Sequence, residues 1–186
     1  MFIQTEATPN PLTLKFIPGV PVMASGTAFL TSAEDAKISP LAKELFTIDS
    51  ITAIFLGSDF ITVTKAESGS WETLKPAILT TIMDHFVAGK PVMLSAEQST
   101  GAKESANESD SEIVKQIREL IETRVRPAVA QDGGDIIFRG FEDGIVQLEL
   151  HGSCSGCPSS TITLKNGIEN MLKHYIPEII AVEAVA

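Results

Sequence analysis

The chain has 186 residues, 44% of them hydrophobic and 20% charged, which is the composition of a folded protein long enough for one large domain or two small ones. Its formal net charge of −10 excludes a nucleic-acid binder, which needs Lys and Arg to offset phosphate charge. Its apolar runs fall well short of the ~20 residues a transmembrane helix needs, so a membrane partner is not expected either.

In chain order, FIQTE and LTLKFI read as short strands separated by the turn residues TPNP. SPLAKELF reads as a short helix with Ser39 as N-cap and Pro40 at its first position. ITAIFLGSDFITVTK is a predicted hairpin of two β-branched runs that turns at Gly57-Ser58-Asp59. WETLKPAILTTIMDHFVAG places Trp71, Leu74, Ile78, Ile82 and Phe86 on one helical face, with Gly89 as the stop. Residues 95–111, SAEQSTGAKESANESDS, carry too little apolar surface to order themselves and read as a flexible linker. Acidic residues exceed basic ones on both sides of it, so neither half is a basic arm or an acidic tail.

The second half reads as α-β-β-α-β. Ser109 and Glu112 fit a capping box ahead of the apolar stripe Ile113, Ile117, Leu120, Ile121 and Val125, and Pro127 is expected to end or bend that helix. DIIFRGFEDGIVQLEL is a second hairpin, turning at Glu142-Asp143-Gly144, in which Val146, Leu148 and Leu150 alternate with Gln147 and Glu149. A helix over roughly 159–175 follows, with Leu164, Ile168, Leu172 and Tyr175 on one side. Pro177 ends it, and EIIAVEAV can add a last strand. The fold class is therefore α+β: two small α/β domains, 1–94 and 112–186, joined by the linker.

The chemistry concentrates in HGSCSGCPSS, which holds both of the chain's cysteines. Strand end, turn and Pro158 place Cys154 and Cys157 near a helix N-terminus, where unpaired amides favour negative charge, so both thiols are expected to ionise readily. Thiol–disulfide exchange, structural zinc and an iron–sulfur cluster all fit such a turn, against the bland alternative of two structural thiols. Zinc and clusters want four ligands, and one chain supplies two thiolates. His151 would make a third in H-x-x-C-x-x-C, but reads as a surface or packing residue. Two protomers related by a two-fold would complete the set, at a boundary that opens when they part. Asp132 and Asp135 flank Gly133-Gly134 and read as a helix cap and glycine turn rather than as an acid–base pair. Trp71 reads as a packing anchor, and His85 and His174 as structural or surface residues.

RPAVAQDGGDIIFRGFEDGIVQLELHGSCSGCPSSTITLKNGIENML resembles the NifU C-terminal (Nfu) domain, and TPNPLTLKFIPG, SPLAKELF and FITVTK before W-x-x-L-K-P resemble the Nfu N-terminal domain. The resemblance implies a non-enzymatic scaffold or carrier that holds a [4Fe–4S] cluster between two protomers through Cys154 and Cys157. Dimerisation on loading would accompany this. Such a carrier receives its cluster from an upstream donor and delivers it to apo iron–sulfur proteins, lipoyl synthase and respiratory enzymes among them. The rival from another class is a CxxC thiol–disulfide oxidoreductase with Cys154 as nucleophile and Cys157 as resolver. The cysteine-free first domain is expected to recognise clients or donors. A reducing compartment is expected from two close thiols. MFIQTEATPNP lacks signal-peptide features, so the expected location is the bacterial cytoplasm, or the mitochondrial matrix for a processed organellar form.

Overall fold

The structure, a computed structural model, describes residues 2–94, 111–155 and 158–185, with the backbone alone at 158–160. It divides into two compact units, Met1–Gly101 and Ala102–Ala186. Of the linker expected at 95–111, residues 95–110 lie outside the described residues, as do Ser109 of the expected capping box and Cys157.

The first unit is built on a five-stranded antiparallel sheet. Its strands are β1 (Gln4–Ala7), β2 (Thr13–Ile17), β3 (Ala28–Leu30), β4 (Ile51–Leu56) and β5 (Ile61–Lys65), in the order β1-β2-β5-β4-β3. The TPNP turn is held by Asn10, whose side-chain oxygen accepts from the Leu12 amide at 3.0 Å. Helix α1 (Pro40–Leu45) starts as expected: Ser39 Oγ accepts from the Ala42 amide at 3.2 Å and donates to the Val92 carbonyl at 2.6 Å. Helix α2 (Trp71–Val87) buries Leu74, Ile78 and Ile82. Gly89 ends it at φ +63°, with Gly89 N–H bonded to Phe86 O and Lys90 N–H to His85 O, a Schellman pair that needs a left-handed residue. Trp71 is a packing anchor, half-buried on this core, and its indole N–H donates to Pro11 O at 3.1 Å. The sequence gives no sign of β3, or of a 3₁₀ turn at Asp35–Ile38.

His85 takes the structural half of its reading, and Phe86 departs from the predicted apolar stripe. His85 is fully buried, with Nδ1 3.2 Å from Glu44 Oε2, and Phe86 beside it is only half-buried. His85 takes the buried position next to the apolar stripe because the partly exposed Glu44 of α1 offers its imidazole a partner at the core's edge.

The second unit opens with α3 (Glu112–Leu120), capped by Ser111 rather than Ser109: Ser111 Oγ accepts from the Val114 amide. A π-helical stretch, Ile121–Val125, leads into α4 (Arg126–Gln131). Pro127 therefore does not end the helical run. It is the second residue of α4, directly after the π stretch. The π stretch also has a packing reason. Ile117, Ile121, Val125 and Val129 are all buried at a spacing of four, which drifts ~40° per step on an α-helix, and a wider turn returns them to one face.

Strands β6 (Gly134–Glu142) and β7 (Ile145–Gly152) pair antiparallel through Asp143 and Gly144, at φ +49° and +80°. Two consecutive left-handed residues are what a tight hairpin turn requires. Helix α5 (Pro158–Tyr175) carries the chain back, and β8 (Ala181–Val185) adds parallel to β7, giving the order β6-β7-β8. A parallel neighbour needs a crossover of this length. The core joins the helical stripe to Ile136, Phe138, Val146, Leu148, Ile168, Leu172 and Val182. It also contains Cys154. Tyr175 stays 47% exposed, off the buried face of α5.

Candidate metal centre

Cys154 sits in the turn between β7 and α5, as expected. Its surroundings are not those the helix N-terminus suggested. The residue is 6% exposed and belongs to the core. Burial pushes its thiol up to about 11, and the charges of Asp132 and Asp135 push the same way against one contact from Ser153. The expectation of a readily ionised Cys154 is thus overturned. Desolvation of the thiolate outweighs the dipole of a helix that begins four residues later.

The neighbouring backbone explains why the thiol fits there. Gly134 pairs with Gly152 across β6 and β7. A Cβ at Gly134 would lie 2.6 Å from the Cys154 sulfur and 2.8 Å from the His151 carbonyl. The glycine is a seat for the sulfur, and only a residue without a side chain can provide it. Gly133, at φ +80°, turns its carbonyl to the Ser153 amide at 3.2 Å, and Ser153 Oγ donates to the Asp132 carbonyl. The turn loop is further tied by Ser155 Oγ to Gly152 O at 2.8 Å and by Thr161 Oγ1 to Cys154 O at 3.2 Å.

Asp132 follows the last turn of α4, as expected, but Asp135 does not cap. It is buried and takes a two-pronged ion pair from Arg126, Nε to Oδ1 at 2.9 Å and the second nitrogen to Oδ2 at 2.8 Å, while Oδ1 also accepts from the Ile136 amide. Arg126 reaches Glu122 with its remaining nitrogen, and its guanidinium is held more firmly protonated by Asp135. This pair fastens the start of β6 to the helical run beside the glycine seat.

His151 is buried, not a surface residue, and its Nε2 lies 2.7 Å from Glu149 Oε1. Glu149 also binds Arg139, and these two partners hold its carboxyl below the ordinary range against its partial burial. His151 is thus engaged along the strand, which agrees with reading it as a packing residue. His174 is exposed at the end of α5 against Tyr175. Among the described residues no three His, Cys, Asp or Glu side chains gather as a metal group. Sequence reasoning saw the DGGD turn and the cysteine turn as separate motifs. What it missed is that Gly134 and Ser153 join them.

Residues 3–89 match the family model described as scaffold protein Nfu/NifU N terminal, and residues 117–183 match that of the NifU-like domain. The chain is 54% identical over its full length to the human protein named NFU1 iron-sulfur cluster scaffold homolog, mitochondrial, and spans 72% of it. It is 51% identical, over 98% of its length, to NifU-like protein 4, mitochondrial, of Arabidopsis thaliana, spanning 65% of that protein. A solution structure of a NifU-like protein from Saccharomyces cerevisiae covers 51% of this chain at 24% identity and a TM-score of 0.47, too distant to add to the assignment. With an Nfu N-terminal domain followed by a NifU-like domain that carries both cysteines, the chain belongs to the Nfu/NifU-like family.

Proposed function

We propose that this chain is a scaffold and carrier for iron–sulfur clusters, with no catalytic turnover of its own. The cluster is its cargo: a [4Fe–4S] centre held between two protomers by Cys154 and Cys157 of each, supplied by a donor and passed to apo iron–sulfur proteins. The observation that carries the reading is the thiol count in this setting. The chain has two cysteines, three positions apart in the sequence of the NifU-like domain just before Pro158, and relatives at about half identity are named as cluster scaffolds. Four thiolates are the usual cluster ligand set, so two chains must meet.

The geometry of Cys154 disfavours the thiol-exchange rival. An attacking cysteine works as an exposed thiolate with a pKa near ambient pH, whereas this thiol is buried and pushed up to about 11. Ligation itself displaces the proton, so a cluster ligand is not bound by that requirement. The compared relatives are named as mitochondrial, which supports the organellar half of the location expectation. Among the described residues no helix is long and apolar enough to cross a membrane.

Anaerobic reconstitution with iron and sulfide tests the proposal. The expected result is a cluster chromophore, iron matching one [4Fe–4S] centre per two chains, and a shift to dimer on a sizing column. A filled centre in a lone subunit would sink the proposal, as would disulfide-reductase turnover without any cluster.

A further inference from the structure

A sulfur that bridges two chains must leave the cover of its own domain, because the other ligands belong to the second protomer. The Cys154 sulfur is in the opposite place. It lies in the core, 6% exposed, against the bare Cα of Gly134. Loading a shared cluster therefore requires the cysteine turn to move outward, and the bonds that oppose the movement can be sorted by what they cross.

The Ser155 bonds end on Gly152, three residues back at the end of β7, and Thr161 Oγ1 reaches Cys154 O from the first turns of α5, so these ties are local in sequence. The two Ser153 bonds cross from the loop to the DGGD turn: the amide to Gly133 O at 3.2 Å and the hydroxyl to Asp132 O. Ser153 itself is 1% exposed, so both are made away from water, where they hold best. Gly133 and Gly134 complete the arrangement, one by aiming a carbonyl and the other by leaving space for the sulfur.

We propose that Ser153 and the Gly133–Gly134 turn form a latch that keeps the Cys154 sulfur inside the domain until a cluster is loaded. Ser153 is then a positioning residue, acting through the loop rather than on the cargo. The proposal rests on the scaffold reading for its purpose, but its test does not need a cluster.

In the full-length chain with Cys157→Ser, Cys154 is the sole thiol, and its alkylation by iodoacetamide can be timed by mass spectrometry without iron or sulfide. The latch predicts alkylation at least tenfold slower than in a peptide of residues 151–160 carrying the same substitution. It predicts that Ser153→Ala speeds the reaction about fivefold, the factor for one neutral hydrogen bond. It also predicts that Ile168→Val, a mild loosening of the same core away from the turn, changes the rate less than twofold. With both cysteines present, Ser153→Ala should speed cluster uptake by a similar factor and leave iron per dimer unchanged. Alkylation at the peptide's rate in the parent overturns the latch even if Ser153→Ala does not fold. So does an equal effect of Ile168→Val and Ser153→Ala, or an uptake rate that Ser153→Ala leaves unchanged. Failed reconstitution with a slow, latch-dependent alkylation would overturn the scaffold reading instead, so the two failures are distinguishable.

Discussion

The two units bury polar groups to different ends. In the N-terminal unit, Asn10 closes the β1–β2 turn, Ser39 caps α1 and ties it to Val92, and His85 meets Glu44 between α1 and α2. Each secures a connection between elements of a five-stranded sheet and its helices. Among the described residues of the C-terminal unit the buried polar side chains are Asp135, His151 and Ser153, and all three lie at the seam where β6 begins and β7 ends. The sulfur of Cys154 is at the centre of that seam. The difference teaches that polar burial in one domain is spread over the joints of the fold, whereas in the other it gathers around one thiol. The pair can be probed separately in the intact protein, because the single Trp, Trp71, is in the first unit and the single Tyr, Tyr175, is in the second.

The largest expected effect falls on one unit alone. Cys154→Ala or Cys157→Ala should abolish cluster uptake, a loss of more than tenfold in bound iron, with the Trp71 unfolding transition unmoved. Residual loading at half the wild-type iron in either variant would break the division of labour.

The converse substitution sharpens it. Ile82 is fully buried in α2, and Ile82→Ala should lower the stability read by Trp71 by about 2–5 kcal/mol, the usual range for a large-to-small core change. Tyr175 fluorescence and cluster uptake should not change. A parallel shift in the Tyr175 transition would show that the two units unfold together.

Next comes the buried charge. Asp135→Asn leaves Arg126 facing a neutral amide and should cost about 3 kcal/mol in the Tyr175 transition alone, as breaking a buried pair does. A loss below ~1 kcal/mol would mean that Arg126 is held by Glu122 and not by Asp135.

How much of this was legible in the sequence depends on the range of the forces involved. The alternation of Val146, Leu148 and Leu150, the Ser39-Pro40 helix start and the Gly89 stop are local patterns, and each forms where expected. β3 was not legible, because Ala28–Leu30 has no pattern of its own and is a strand only by pairing with Ile54–Leu56. Pro127 reads locally as a breaker, and only the four-residue spacing extended to Val129 shows that the run continues through a π turn. At the candidate site both cysteines and the glycines were visible as motifs. The thiol's burial was not, since it depends on Gly134, twenty positions away in sequence. Dipole reasoning therefore gave the wrong direction for Cys154, and the choice between a structural and a surface His85 was open for the same reason, its partner Glu44 lying on another helix.

The smallest effect is a pH dependence confined to the first unit. Glu44 is held below the ordinary carboxylate range chiefly by the hydrogen bond from Lys90, then by His85, against partial desolvation. A carboxyl whose folded value is depressed adds stability that is present above its unfolded value, near 4.5, and that is lost as pH falls through the folded one. Because Glu44 is about a third exposed, water screens much of this, and the effect should stay below that of any core change. Asp35 in the same unit is also depressed, by Ser32 first, so acid titration of the wild type alone does not isolate Glu44. The difference between wild type and Glu44→Gln does. Read by Trp71, it should shrink as pH falls below 4.5, while the acid sensitivity of the Tyr175 transition, which draws on Glu149 and Glu169, stays as it was. A wild-type advantage of the same size at pH 3 and pH 7 would show that Glu44 acts through packing against α2 and not through its charge.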